Sequence, residues 1–305
     1  MNSPSFVPPT PDVQARRAAL FRESPRDIAE RILLGTAWAL KPKRIGNLPG
    51  LAGVWLRDTF GSGALPDPAK TFGNAGLAGI ARDLSVPTLL EAYKRTLYPW
   101  GHFGPFKWLS TEQRCVLFFN ELHIAKRLRR QMRQNEYTVT FDRDFEGVMK
   151  ACAERRPGRW HLTWLRPRMM YAMADLYDAG HAHSFEVWNK DGALAGGGYG
   201  VAVNGVFHTE SQFSRESNTS KMGFTLFNWH LAKWGFLLND GKDMTPTINE
   251  MNFRMIPRAE LQAALDRGTM EMCRPGRWTC ETDLKSIADW QPAGSAKAEA
   301  PSASS

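Results

Sequence analysis

The sequence predicts an α+β fold, and three observations carry that prediction. Residues 184–189, 194–203 and 206–214 read as strands, separated by Asp191-Gly192 and Asn204-Gly205, the turn chemistry of tight hairpins. Apolar residues recur at helical spacing on both sides of this meander. The resulting order of strand, helix, meander, helix and strand is an α+β layer arrangement.

The elements follow in chain order. Ser24 before Pro25 starts a helix that carries Ile28, Ile32 and Ala39 on one face and stops by Lys41 and Pro42. Residues 87–133 read as mostly helical, with Leu89, Leu90, Tyr93 and Leu97 in register. Pro99 breaks that run before an aromatic loop holding Trp100, His102, Phe103, Phe106 and Trp108. Residues 137–141 alternate as a strand, 144–154 form a helix, and 169–179 form a second helix closed by Gly180. Beyond the meander, 220–235 is helical with Phe224, Phe227 and Leu231 aligned, and 236–238 is a short buried strand ending at Asp240.

The meander holds the most informative residues. A glycine-rich strand, Ala195 to Gly200, pairs with a strand carrying Glu210, Ser211, Gln212, Phe213 and Ser214. A two-residue turn at Asn204-Gly205 sets Val203 against Val206 and Tyr199 against Glu210. Glu210 then shares a face with His208, Gln212, Tyr199 and Gly197, while Phe207, Phe213, Gly196, Gly198 and Gly200 take the other. A bulge among the glycines moves these assignments. A carboxylate beside backbone without side chains suggests a pocket for a flat or amino-bearing ligand.

The 305 residues are 43% hydrophobic and 23% charged, enough for a large core or two smaller ones. Apolar runs such as 116–119 and 236–238 fall far short of the roughly 20 residues of a transmembrane helix. Residues 1–11 are proline-rich and lack a basic region followed by an apolar core, so no membrane association and a cytoplasmic location are expected. Cys115, Cys152, Cys273 and Cys280 lack the spacing of a metal or redox motif and are expected to be buried thiols; no metal and no cofactor are expected. The net charge of +8 suits a polyanionic partner. Lys126, Arg127, Arg129, Arg130 and Arg133 form the sharpest basic cluster; Lys126, Arg130 and Arg133 fall on one helical side, which reads either as a solvated face or as a phosphate contact. Residues 1–70 read as a partly helical extension and 291–305, rich in Ala, Ser, Pro and Gly, as a disordered tail.

Over about residues 65–265 the chain resembles the bacterial leucyl/phenylalanyl-tRNA–protein transferases. The matching residues include Tyr98, Pro99 and Trp100; the stretch from Trp108 to Arg114; Glu121 to Ile124; Thr163 and Trp164; Gly196, Gly197, Tyr199 and Gly200; Glu210, Ser211, Phe213 and Ser214; Ser220 and Lys221; Asp240; and Ile256, Pro257 and Arg258. The resemblance implies a small N-terminal domain (71–135) followed by a GNAT-like acyltransferase domain (136–290). It implies transfer of an aminoacyl group from aminoacyl-tRNA to the α-amine of an acceptor protein beginning with Arg or Lys, feeding N-terminal-residue-dependent degradation, by a monomer. An aminoacyl ester is already activated, so such an enzyme chiefly positions it and stabilises an oxyanion. By resemblance, Glu210 lies at the aminoacyl end and Asp240 in the acceptor and proton-relay region. Phe207 and Phe227 line an apolar pocket, Trp100 and Trp164 contact the terminal adenosine, and Lys126, Arg127, Arg130 and Arg133 are candidate tRNA contacts. Read as residues alone, Phe207, Phe227, Trp100 and Trp164 also suit a core, Glu210 a solvated strand, and Asp240 a loop cap.

The chain departs from the family at Lys242, where glutamine is expected; at Gly198, where a large apolar residue is expected and whose absence should enlarge the pocket; and at Gln212, where methionine is usual. Met173 stands for a tyrosine, and Glu250 to Phe253 replace small residues. Lys242 can donate to an oxyanion or hold Asp240 ionised. A divergent paralogue with changed donor or acceptor, and a non-catalytic tRNA- or peptide-binding module, therefore stay open. An acetyl-CoA acyltransferase is a further rival, although no pyrophosphate loop precedes a helix.

Overall fold

The structure, a computed structural model, describes residues 10–41, 50, 52–54, 56, 64–73, 75–155 and 161–292. Two helices open the chain, α1 (Pro11–Leu20) and α2 (Pro25–Ala39). There follow β1 (Leu77–Ile80), α3 (Val86–Lys94), β2 (Tyr98–Trp100), β3 (Lys107–Leu109), β4 (Gln113–Leu117) and α4 (Lys126–Gln134). The middle of the chain forms β5 (Thr138–Phe141), α5 (Phe145–Ala153), α6 (Pro167–Asp178), β6 (Ala182–Trp188), β7 (Leu194–Val203) and β8 (Val206–Ser214). The remainder forms α7 (Thr219–Lys233), β9 (Leu238–Lys242), α8 (Pro246–Asn249), β10 (Arg254–Pro257), α9 (Arg258–Arg267) and α10 (Leu284–Ile287). The fold is mixed α and β.

The strands make a three-stranded sheet, β1-β3-β2, and a seven-stranded sheet, β10-β4-β9-β8-β7-β6-β5. Every pairing in the large sheet is antiparallel except β8 with β9. Helices cover both faces. On one, Val148 of α5 and Met169 and Met173 of α6 pack with Tyr199, Val201 and Val203. On the other, Phe224, Phe227 and Leu231 of α7 pack with Phe185, Val187 and Phe207. Alternation along β7 and β8 feeds these two cores from opposite sides of one sheet.

Residues 98–117, expected as an aromatic loop within a mostly helical stretch, instead form β2, β3 and β4. Helix α3 stops at Lys94, and Thr96 turns the chain with φ 59°. Arg114 to Leu117 are all buried, so β4 shows no period-2 alternation, and a short apolar run buried on both faces is indistinguishable from helix by periodicity. Because β4 lies between β10 and β9, an expected boundary at 135/136 cuts through the large sheet rather than between sheets.

Within residues 1–70, Ser24 and Asp27 make the capping box that starts α2. The expected apolar face of Ile28 and Ile32 is not what docks; both are exposed. Instead Gly35 lies against Phe103, Trp38 sits 6.2 Å from the Trp100 ring, and Arg155 pairs with Asp27 and Glu30. The docked face is thus the one carrying Gly35 and Trp38, with the Arg155 ion pairs beside it. Helix α1 escaped the sequence reading, yet it buries Arg17 between two carboxylates, Glu146 (2.8 Å) and Asp178 (2.6 Å). The Gly/Pro-rich stretch 46–68 falls largely, and residues 293–305 of the expected tail entirely, outside the described residues.

Removing Arg17 strands two nearly buried carboxylates, so Arg17→Ala is expected to cost roughly 3–5 kcal/mol in urea denaturation. A loss under about 1 kcal/mol would mean that α1 is not docked in solution.

On β6, the buried Glu186 accepts from the Thr140 hydroxyl (2.6 Å) and from the Arg143 and Asp144 amides (3.3 and 3.4 Å). Burial pushes its carboxyl from 4.5 up to about 7, against the pull of its hydroxyl partners. The folded state thus holds this proton more tightly than the unfolded chain. The associated stability is complete below pH 4.5 and is lost as pH rises through about 7. The full linkage is worth about 3 kcal/mol. Glu186→Gln is expected to flatten stability between pH 5 and 9, read by denaturant melts; a parent curve already flat there would contradict the buried acid.

Candidate active site

Strands β8 and β9 run parallel for only three pairs, ending with His208 opposite Asp240, and then part. Each is irregular just beyond that point. On β8, Gly200 faces Thr209 and Tyr199 faces Ser211, which leaves Glu210 as an extra residue. Glycine is needed opposite it, since a Cβ on Gly200 would lie 2.3 Å from the His208 carbonyl oxygen. On β9, Val116 faces Asp240 and Cys115 faces Lys242, so Gly241 is extra. Lys242 takes φ 64° and turns its side chain back toward β8.

The Glu210 bulge moves the expected faces. Tyr199 pairs with Ser211, not Glu210, and every residue past the bulge changes side. Phe213 joins the core of Tyr199 and Val206, while Gln212 moves to the face of Gly198. The residues before the bulge, Phe207 and His208, keep their predicted sides.

A buried charge network occupies the parting point. Arg114 donates to both Asp240 oxygens and, at 2.7 Å, to the Thr96 carbonyl. Asp240 also accepts from His208 Nδ1 (2.7 Å) and from the Lys242 amide (3.0 Å). Burial alone would raise the Asp240 carboxyl, but the Arg114 charge, the hydrogen bond from His208 and the Lys242 charge hold it well below the usual carboxylate range. Burial pushes the His208 imidazole down in spite of Asp240, and because the carboxylate can only accept, Nδ1 is the ring nitrogen that carries the proton toward it. Above this layer, Glu210 Oε1 accepts from Lys242 Nζ (2.7 Å) and from the Tyr93 phenol (2.6 Å). Lys242 Nζ also donates to the Thr209 carbonyl at 2.8 Å and stands 5.6 Å from the Tyr98 ring. Burial, reinforced by Glu210, raises the Tyr93 phenol and keeps it a donor.

A cavity of about 600 Å³ opens where the strands diverge, lined by Thr209, Glu210, Gln212, Ser220, Phe224, Ile248 and Phe253 among others. Of the residues singled out from sequence, Glu210 and Gln212 line it, and Asp240 and Lys242 flank it through Gly241. Phe207 and Phe227 do not line it: they are buried, 4.8 Å apart, against Trp278. Gly198 leaves no enlarged space, because a Cβ there would meet Gln212 Cγ at 2.7 Å and Phe185 Cε1 at 2.8 Å. Trp100 and Trp164 are partly buried against the larger core, away from the cavity lining, and Trp100 lies under Trp38. Lys242 pairs with Glu210 rather than holding Asp240 by its side chain; Arg114 does that.

Sequence reasoning missed Arg114, His208 and Tyr93 as parts of this site. One signal existed: Arg114 directly precedes the apolar Cys115, Val116 and Leu117, and a guanidinium in a strand buried on both faces must find a carboxylate. On α4, Leu128 and Met132 face inward. Lys126, Arg127 and Arg130 are exposed and have no ion-pair partner among the described residues. Arg133 is paired with Asp289, and Arg129 caps the Ala288 and Trp290 carbonyls, so those two hold the C-terminal segment.

Arg114→Met leaves Asp240 buried without its main counter-charge and is expected to cost about 3–5 kcal/mol by denaturant melts. Adding Asp240→Asn should recover part of that loss, because the pair couples directly. Strict additivity of the two changes would contradict the pairing.

The profile of the family described as leucyl/phenylalanyl-tRNA protein transferase matches residues 116–266. A protein of that name from Alkalilimnicola ehrlichii is 38% identical over 214 residues, covering 70% of this chain and 83% of the relative. The one from Pseudomonas syringae pv. syringae is 43% identical over 193 residues, covering 63% and 83%. A third, from Ectopseudomonas mendocina, is 39% identical over 240 residues, covering 78% and 98%. A solved C-terminal domain of a putative lysylphosphatidylglycerol synthetase from Agrobacterium fabrum overlaps 64% of each chain at 10% identity and TM-score 0.29, too slight a likeness to bear on the fold. No helix among the described residues is long and apolar enough to cross a membrane. With relatives near 40% identity covered over more than four-fifths of their length, the chain belongs to the leucyl/phenylalanyl-tRNA–protein transferase family.

Proposed function

We propose that the protein transfers an aminoacyl group from aminoacyl-tRNA to the N-terminal α-amine of an acceptor protein, with the chemistry at the parting of β8 and β9. The observation that supports this most is the state of Glu210. Both of its donors, Tyr93 and Lys242, bind Oε1, and Oε2 has no hydrogen-bond partner among the described residues, while the residue lines the cavity. Glu210 Oε2 is thereby suited to the α-ammonium of the donor aminoacyl group. Lys242 Nζ has a third N–H beyond those given to Glu210 and Thr209, suited to the developing ester oxyanion. The acceptor amine attacks in its neutral form. A carbon–nitrogen bond forms, the ester carbon–oxygen bond breaks, and the amine's proton ends on the departing ribose oxygen.

Asp240 carries the Arg114, His208 and Lys242 donors and is fully buried, so in this reading it positions Lys242 and His208 rather than taking the proton itself. Phe207 and Phe227 back the pocket wall through Phe185, which stacks on Phe224. Gln212 forms one side of the pocket with Gly198 packed behind it, and Trp100 and Trp164 are assigned toward the terminal adenosine. Lys126, Arg127 and Arg130 form the tRNA-facing patch, with Arg133 at its edge. We further infer a small lobe of β1, β2, β3 and α3, within the expected 71–135 domain, and a GNAT-like lobe built on the large sheet, with β4 crossing between them. Acceptors beginning with Arg or Lys, a monomeric state, a cytoplasmic location and a role in N-terminal-residue-dependent degradation complete the reading.

Incubation with charged tRNAs and a labelled peptide beginning with Arg tests it. Extended peptide is expected from at least one aminoacyl-tRNA, and Glu210→Gln should lower kcat/KM by about 100-fold. Absence of product from every aminoacyl-tRNA would remove the enzymatic reading.

A further inference from the structure

We propose that Trp38, Lys107 and Arg166 form a site for one nucleotide of the donor tRNA's single-stranded 3′ end, the indole stacking its base and the two cations holding its phosphate. This rests on the transferase reading above for the nucleic acid that arrives, and it adds helix α2 and the two cations to the surface that receives it.

Lys107 on β3 pairs directly with Trp100 on β2, so the two side chains leave the small sheet on one face. The Arg166 guanidinium lies 3.9 Å over the ring of Phe106, the residue before Lys107. Both cations are half-buried, and neither forms an ion pair among the described residues. Arg166 Nε is closed off from solvent without a hydrogen-bond partner. Lys107 reaches only the Phe103 and Pro105 carbonyls, at 3.5 and 3.3 Å. The carboxylate near Arg166, Glu23, is already held by Arg31 through both oxygens, at 3.2 and 3.0 Å. Burial, with the Arg31 and Arg168 charges, pushes Arg166 from 12.5 down to about 10, and burial with the Arg166 charge lowers Lys107. Two partly desolvated like charges side by side destabilise the fold, and a phosphate set between them removes that repulsion.

Aromatic rings adjoin these cations. Trp38 of α2 sits 6.2 Å from Trp100 at 45°, and His102 stands edge-on to both, 6.0 Å from Trp38 and 4.3 Å from Trp100. Trp38, Trp100 and His102 are all half-buried, so part of each ring meets solvent. Such rings stack a base whatever its identity. Trp38 is set in place by its own helix: Gly35, nearly one turn earlier, lies against Phe103, and Asp27 and Glu30 pair with Arg155. A nucleotide supplies the two things this surface accepts, a flat base for the rings and a phosphate for the cations.

The test uses the full chain and two fluorescent RNA hairpins that differ only in a short single-stranded 3′ overhang ending in adenosine, with anisotropy as the readout. The overhang is expected to tighten binding at least about tenfold. Trp38→Ala should remove most of that difference, and Trp38→Phe should keep most of it. Lys107→Met combined with Arg166→Met should also remove it and lower the salt slope by about one. The urea midpoint of that double variant should stay level or rise, whereas a purely structural role for the two cations would lower it. An overhang without effect, a difference that survives these variants, or tighter binding by Trp38→Ala, which would make α2 a cover over Trp100, overturns the inference. Binding is read without transfer, so the two readings fail separately: overhang binding as expected with no transfer from any aminoacyl-tRNA supports this site and removes the transferase reading alone.

Discussion

The buried pair of Arg114 and Asp240 is the interaction on which the site depends. Two opposite charges removed from water need each other and a full set of hydrogen bonds, and here the Thr96 carbonyl, the His208 ring and the Lys242 amide complete the set. The pair joins β4 to β9 at the place where β9 leaves β8. It thereby fixes where the sheet opens, which way Lys242 turns, and how close Lys242 comes to Glu210. A sheet that parts needs something to hold its separated edges in register. The ion pair holds one edge, and the Lys242 bridge to the Thr209 carbonyl and Glu210 spans the gap.

The bulges on either side of that gap serve the same end by different means. The extra Glu210 swings a carboxylate into a cavity whose remaining wall is built from α7, α8 and the segment around Phe253. The extra Gly241 lets β9 bend beneath it, leaving little room for anything larger: a Cβ there would meet Ile248 and Phe253 at 3.0 and 3.2 Å. Lys242 replaces the neutral residue expected in the family, so the site carries an internal ammonium beside its carboxylate. The walls combine the polar residues Thr209, Gln212 and Ser220 with the apolar Phe224, Ile248 and Phe253.

The N-terminal helices add a second layer of dependence. Arg17 fastens α1 to α5 and α6, the helices that pack under β7, and α2 lies across the aromatic loop that continues from Tyr98, a neighbour of Lys242. Residues read from sequence as a partly helical extension thus press on the same framework that holds the site.

Much of this was legible in the chain. The predicted strands 194–203 and 206–214 coincide with β7 and β8, because the Asn204-Gly205 turn leaves no freedom of register at the hairpin tip. Ser24 and Asp27 announced the start of α2, and Glu210 and Gln212 stood out and line the cavity. The bulge was not legible, since a run of glycines has no side-chain alternation from which to count. Nor was the partner of Arg114, 126 residues away in Asp240. Local rules of turn, cap and period act over a few residues, and those the sequence determined by itself. Which buried charge meets which and where two strands part depend on segments brought together only by folding, so those the tertiary structure alone decided.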